Sequence, residues 1–301
     1  MPPKVLVLGT GGTVASSVKK GEYGLAPTYT VNEILNFVPG LEKIADIYTD
    51  MPIVEDGKTV YVDSTNMQPE YILQVARRTY RAYKDENARG VVIFHGTDTM
   101  EESAADLTFE LLYKKIPVVL TGSMKPPDDD PTDAAENILH AVKFASIGCS
   151  GTFVVFHKRI ISGGRAKKIH PDEPDAFRSI NFPQFGMFVD DEPYFSDHGI
   201  KALNDYAKRF EHKEMELRDG YSDKVHLLEL YRGIRPSIID YFFSEGYLGL
   251  IIKAFGTGGI PNQPQYKSLI PKIKRWSDER LIGLVSEAFT GQVTTNYQVT
   301  N

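Results

Sequence analysis

The feature that most constrains this chain is a set of short runs with almost no polar residue, at 5–8 (VLVL), 91–94 (VVIF), 118–120 (VVL) and 152–156 (TFVVF). A strand with one wet face alternates apolar and polar side chains, whereas these runs do not, so both of their faces must be covered. Longer stretches with a helical period separate them. Residues 68–83 place Tyr71, Ile72, Val75, Ala76 and Tyr80 close to a 3.6-residue repeat, and 99–113 and 133–144 behave alike. Strand-helix alternation of this kind predicts an α/β fold, with a mostly parallel sheet flanked by helices. Ligands of such sheets sit beyond the carboxyl ends of the strands, so the loops that follow the apolar runs are where chemistry is expected.

The rhythm lapses from about Gly186 into a charged, weakly periodic stretch and resumes as strand, helix, strand, helix, strand at 225–230, 236–244, 248–254, 266–276 and 281–285. The expected organisation is a larger N-terminal catalytic α/β domain over 1–188, a linker over 189–222 and a smaller C-terminal α/β domain over 223–301. With 42% hydrophobic and 25% charged residues among 301, the chain has enough apolar side chains for two cores. A formal charge of -6 and the lack of any basic stripe exclude nucleic acid as a main partner. The basic clusters at Lys19-Lys20 and Lys272/Lys274/Arg275 are short enough to be solvated surface. The single cysteine, Cys149, excludes an internal disulfide framework and a cysteine-rich zinc site, and with no histidine motif nearby it is expected to be inert. No apolar run approaches the roughly 18 residues a membrane helix needs. Met1-Pro2-Pro3-Lys4 leads directly into a strand without a signal-peptide pattern, so a cytoplasmic location without membrane association is expected.

Three strand-end loops concentrate polar residues. In the first, Gly9-Thr10-Gly11-Gly12-Thr13, glycines allow close backbone approach and could aim N–H groups at an anion. A nucleotide loop is nonetheless disfavoured. There is no Gly-Lys-Ser/Thr ending, Val14 stands where a dinucleotide fingerprint needs its third glycine, and Glu33, the candidate ribose partner, belongs to a helix first turn. In the second, HGTDTMEES at 95–103, Thr97 or Thr99 could cap a helix whose dipole Glu101 and Glu102 complement. Capping leaves His95, Thr97 and Asp98 unexplained, and that trio is the functional candidate. In the third, DSTNMQPE at 63–70, Ser64 or Thr65 is equally suited to a helix cap or a ligand contact. A basic segment, GGRAKKIHPDEPDAF at 163–177, is by itself a surface loop, with one lysine as a candidate to reach a site.

Taken in order, GTGGTVAS, DSTNMQPE, HGTDTMEESA, VVLTGSM with its following Asp-rich turn, GGRAKKI…DAF and FGTGGIP resemble the L-asparaginase family of the bacterial and archaeal type, over nearly the whole chain. With no signal-peptide pattern at the start of the sequence, it resembles the cytoplasmic-type and archaeal branch more than the periplasmic one. The resemblance implies hydrolysis of the side-chain amide of L-asparagine to L-aspartate and ammonia through a threonine acyl-enzyme, with no cofactor and no metal, in a homodimer or homotetramer. It implies Thr13 as nucleophile, Tyr23 as its activator from a following loop, and Thr97, Asp98 and Lys168 as a proton-handling group, with Lys167 the near miss. Asp98 would also pair the substrate α-ammonium, Ser64 and Thr65 would hold the α-carboxylate, and backbone N–H groups at Gly12 or Gly96 would serve as oxyanion donors. Which threonine attacks first stays open, as does minor activity on glutamine.

The sequence departs from the family in three places. Gly258 and Gly259 stand where several members carry an asparagine that reaches a neighbouring subunit's substrate. Glu287 is the candidate for an acid supplied by the neighbouring subunit. Many members continue past the position of Asn301 with a further helix, which leaves open whether the sequence is truncated or dispenses with a piece of the second domain. Two other readings share the same residues: an asparaginase-like subunit of a tRNA-dependent amidotransferase, against which an early first strand counts, and a non-catalytic amino-acid-binding protein.

Overall fold

In the computed structural model, residues 1–17 and 26–294 are described. They fall into two compact units, divided after Gly220. An eight-stranded sheet organises the first. Its strands are β1 (Lys4–Gly9), β2 (Asp46–Asp50), β3 (Gly90–Phe94), β4 (Pro117–Thr121), β5 (Gly151–Phe156) and β6 (Arg159–Ser162). After a separate two-stranded ladder of β7 (Ala166–Lys168) and β8 (Phe177–Ser179), the sheet is completed by β9 (Gly186–Val189) and β10 (Glu192–Phe195). The order across the sheet is β10-β9-β6-β5-β4-β3-β1-β2. Neighbours from β2 to β5 are parallel, and those from β5 to β10 are antiparallel.

The unbroken apolar runs are the parallel strands, and Val91, Val92, Ile93 and Phe94 have no exposure at all. Alternate residues feed two cores. Leu6, Leu8, Val91 and Ile93 pack with α2 (Pro69–Glu86) and α3 (Met100–Glu110) on one face. Val5, Val7, Val92 and Phe94 pack on the other with α1 (Val31–Asn36) and α4 (Ala134–Ile147). Glu33 sits in the capping box of α1, where Thr30 and Glu33 bond each other's backbone N–H, which removes it as a ribose ligand. Helix α3 stops before the expected 113. Leu111–Leu112 pairs instead with Glu216–Leu217, and the buried Lys114 ammonium donates to the Thr108 (3.0 Å) and Leu111 carbonyls. Burial pushes that lysine down to about 7. Residues 189–222, which the sequence presents as a connection, hold β10 and α5 (Asp197–Arg209), and the boundary between units falls after Gly220.

The second unit is a parallel three-stranded sheet of β11 (Val225–Glu229), β12 (Gly249–Ala254) and β13 (Leu281–Ser286), with β12 central. Its core joins Leu228, Leu250 and Ile252 to Ile239 and Phe243 of α6 (Ser237–Ser244) and to Ile273 and Trp276 of α7 (Ile270–Trp276). Lys272 and Arg275 both pair with Asp240 of α6. Among the described residues, no helix is long and apolar enough to cross a membrane.

Phe144 on α4 is fully buried and meets Phe153 edge-on, with centroids 4.8 Å apart. Phe144→Ala is expected to destabilise the first unit by about 3–5 kcal/mol. Phe109→Ala, at a position 69% exposed, should change stability by less than about 1 kcal/mol. Urea unfolding followed by far-UV circular dichroism checks this, because the sole tryptophan, Trp276, reports only on the second unit.

Candidate active site

Strands β1, β3 and β4 end level, with Gly9 opposite Phe94 and Phe94 opposite Thr121. Beyond that line the first two chains stay joined for one more residue, because Thr10 directs both its N–H (3.0 Å) and its hydroxyl (2.9 Å) to the Phe94 carbonyl. The Thr10 carbonyl in turn accepts from Val62 N (2.8 Å), which draws in the third loop. Gly12 has φ +88°, and a Cβ there would overlap the Gly96 nitrogen and Cα. Both the left-handed backbone and the contact require glycine. A Cβ on Gly96 would likewise strike the Ser64 hydroxyl group. Three loops that are remote in sequence therefore touch through two glycines and a serine.

On this base the polar side chains are placed. Thr13 opens a single 3-10 turn, Thr13–Ala15, and is half-buried beside Gly12. Thr97 follows Gly96 on the adjoining loop and is buried, with 7% of its surface exposed. The Lys168 ammonium, on β7, donates to Thr97 Oγ1 at 2.9 Å and to Asp98 Oδ1 at 2.6 Å. Lys168 is 13% exposed and Asp98 is 56% exposed, so the group has a dry end at Thr97 and a wet end at Asp98. The adjacent Lys167 turns away and pairs with Glu101.

The trio His95, Thr97 and Asp98 separates. His95 is completely buried, and its Nδ1 lies 2.7 Å from the Gly96 carbonyl. Since a carbonyl only accepts, Nδ1 carries the proton and Nε2 accepts from the Ser103 hydroxyl at 2.9 Å. Burial pushes this imidazole down to about 4. It is a neutral brace between the loop and α3. Neither Thr97 nor Thr99 caps that helix through its side chain. The hydroxyl of Thr99, the residue at the cap position, donates to the Ser64 carbonyl at 2.7 Å and ties the second loop to the third.

Ser64 is buried against Gly96, whereas Thr65 is exposed and donates its hydroxyl to Asp63 at 2.6 Å. Gln68, rather than Ser64 or Thr65, occupies the cap position of α2. Tyr23 lies outside the described residues. Glu287 belongs to the second unit, where its carboxylate accepts from Gly256 N at 3.2 Å.

Two acids at this end of the sheet carry no local signal in the sequence. Asp128, in the Asp-rich turn, accepts from Ser17 (2.5 Å) and Tyr29 (3.1 Å), beside the short pairing of Ser16–Ser17 with Ala26–Pro27. Asp133 accepts from the backbone N–H of Met124 and Lys125 and so fixes the loop after β4. Burial pushes the Cys149 thiol up, against any role as a thiolate. Among the described residues the His, Asp and Glu side chains close enough to share a metal are Glu136, His140 and Asp191. They are already paired, His140 with Asp191 at 2.8 Å and Glu136 with Lys158 at 3.2 Å, and none lies in the three touching loops.

Residues 4–200 match the N-terminal asparaginase domain, and residues 224–301 match the glutaminase/asparaginase C-terminal domain. The chain belongs to the asparaginase family. Among curated relatives, a subunit of the glutamyl-tRNA(Gln) amidotransferase of Pyrococcus furiosus is 33% identical over 99% of this chain and 66% of its own length. The corresponding protein of Methanothermobacter thermautotrophicus is 33% identical over 98% of this chain and 65% of its own. The chain thus spans just under two thirds of these relatives. Of solved structures, the thermostable L-asparaginase from Thermococcus kodakarensis superimposes with a TM-score of 0.84 at 29% identity, over 99% of this chain and 84% of that one. A probable cytoplasmic L-asparaginase from Campylobacter jejuni, at TM-score 0.77 and 24% identity over 99% of this chain and 87% of that one, shares the fold.

Two outcomes follow from the asparaginase-family site as built. Gly12→Ala is expected to cost about 3 kcal/mol or more, from backbone strain together with the clash at Gly96, measured as a shift in the urea midpoint. His95 is neutral when folded, with a value of about 4 against 6.5 unfolded, so the unfolded chain binds more protons between those values. Stability from this residue is therefore complete above pH 6.5 and is lost as pH falls towards 4, by up to about 3 kcal/mol. His95→Gln should flatten that part of the pH-stability curve, as followed by thermal unfolding between pH 7 and 4.

Proposed function

We propose that this chain hydrolyses the side-chain amide of L-asparagine, releasing ammonia and L-aspartate through an ester to Thr13. The observation that carries the proposal is the Lys168 ammonium bridging Thr97 and Asp98 on the loop that packs against the Thr13 turn. Thr13 Oγ attacks the amide carbon and gives its proton to the Thr97 hydroxyl, which passes its own to Lys168 as the ammonium passes one to the Asp98 carboxylate. The same group returns a proton to the departing nitrogen, which leaves as ammonia. Water then attacks the ester carbon, regenerating the Thr13 hydroxyl and freeing the carboxylate of aspartate. Tyr23 assists the first proton transfer.

Backbone N–H groups at Gly12 and Gly96 are suited to stabilise the oxyanion, each such donor being worth about 3 kcal/mol in comparable sites. Asp98 keeps one oxygen on Lys168 and, being more than half exposed, offers its carboxylate to the substrate α-ammonium. Ser64 takes the α-carboxylate. The chemistry needs no electron carrier or metal, since every bond made or broken is an acyl or proton transfer.

A second reading is favoured by the curated relatives, which are amidotransferase subunits at about one-third identity. There the same amide hydrolysis would supply ammonia to a partner protein. The two readings part on whether the isolated chain turns over. Purified protein is expected to release ammonia from asparagine by itself, and release only in the presence of a second subunit and tRNA would select the amidotransferase. Thr13→Ala and Lys168→Met are each expected to lower kcat by about a thousandfold or more. Thr13→Ala should still bind L-aspartate by calorimetry. An unaltered rate in Thr13→Ala would remove the threonine ester from the mechanism.

A further inference from the structure

Two adjacent lysines compete for one position. Neighbours on a strand point to opposite faces, so only one of Lys167 and Lys168 can reach Thr97, and slipping β7 by a single residue would exchange them. The ladder that carries them is slight: β7 and β8 pair over three residues, Ala166 with Ser179, Lys167 with Arg178 and Lys168 with Phe177. A two-stranded ladder of this length does not fix its own register. Ile169 N donates to Ala176 O across the ladder (2.8 Å), so the alternation of an antiparallel pair turns the Lys168 N–H outward, away from β8.

That outward N–H is taken by Glu101. In the first turn of α3 and 11% exposed, Glu101 accepts from the Lys168 backbone N–H through Oε2 at 2.5 Å and from the Lys167 ammonium through Oε1. One carboxylate thus grips both lysines, the first by its side chain and the second by its main chain. The grip leaves the Lys168 ammonium as the one directed to Thr97 and Asp98. Glu101 also lies four residues after Thr97, at the start of the helix that this loop leads into, so hydroxyl and clip sit on one short continuous stretch of backbone.

We propose that Glu101 is a positioning residue that selects Lys168 over Lys167 for the site, by pinning the register of β7 against α3. The inference rests on the amide-hydrolysis reading for its catalytic consequence, not for its geometry. Glu101→Ala is expected to lower kcat for asparagine by about tenfold to a hundredfold, as displacement of a catalytic group by an ångström does, with KM within about twofold. Glu101→Gln, of the same volume but able to accept at one oxygen only, should fall between that variant and wild type, and it carries the test if Glu101→Ala does not fold. Lys167→Met keeps the bond to the Lys168 N–H and should retain kcat within about twofold. If Glu101→Gln and Glu101→Ala both match wild type, or if Lys167→Met loses as much kcat as they do, the positioning role is wrong. Lys168→Met is measured beside them: wild-type protein without turnover even when a second subunit and tRNA are supplied, or Lys168→Met with full turnover, would overturn the amide-hydrolysis reading instead. In that event a crystal structure of Glu101→Gln decides the inference. Lys168 Nζ withdrawn from Thr97 supports it, and an unchanged contact overturns it.

Discussion

The contact of Gly12 with Gly96 is the constraint on which the rest of the site depends. Parallel strands deliver their loops side by side but leave them a strand spacing apart, about 4.8 Å between backbones. Side chains on facing loop residues would hold them apart further. With a hydrogen in place of Cβ on both sides, one main chain lies directly on the other, and the hydroxyl-bearing residue after each glycine is carried along. Ser64 completes the stack from a third direction, with Thr99 and Val62 supplying the hydrogen bonds that keep it there. Such a construction uses little hydrophobic area and depends instead on backbone shape, so it tolerates almost no added volume.

Charge is distributed around this contact by solvation. His95 lies behind it, dry and neutral, holding the loop to α3 without adding a charge to the interior. In front, the ammonium of Lys168 is compensated at once by Asp98 and by the hydroxyl of Thr97, as a nearly buried cation must be. A gradient from dry to wet is what an acyl transfer requires. In the proposed hydrolysis the nucleophile and oxyanion would gain from exclusion of water, and the second half of the reaction would consume one.

Much of this is visible in the residues. Unbroken apolar runs mark β1, β3, β4 and β5, and the 3.6-residue period marks α2 and α4 to within a turn. The family resemblance singles out Lys168 over Lys167, and the structure joins Lys168 to Thr97 and Asp98. What stays hidden is non-local or weakly patterned. The edge strand β2, with sequence DIYTD, is only partly buried, and β9 and β10 are four-residue strands whose partners set their place. No local pattern could show that Asp128 would meet Ser17 and Tyr29, or that Glu101, which passes for an ordinary helix-dipole acid, would also hold two lysines from a distant segment. Composition marks a residue as polar and local; pairings across many tens of residues are decided only once the sheet has formed.

The reversal of the sheet at β5 has a consequence for how the chain can change over evolution. From the end of β6 the polypeptide runs back up α3, with Gly163 against Ala104 and Thr108 and Lys168 arriving level with Glu101 and Thr97. Along that path the helix acts as a measuring rod, with a fixed rise per residue against which the ascending segment is matched. An insertion of one residue between 163 and 168 would put the tally out of step and deliver the wrong side chain. The exposed turn that follows, around 170–173, is read against nothing and is free to lengthen. Length variation in this part of the fold should therefore accumulate on one side of Lys168 and be absent from the other.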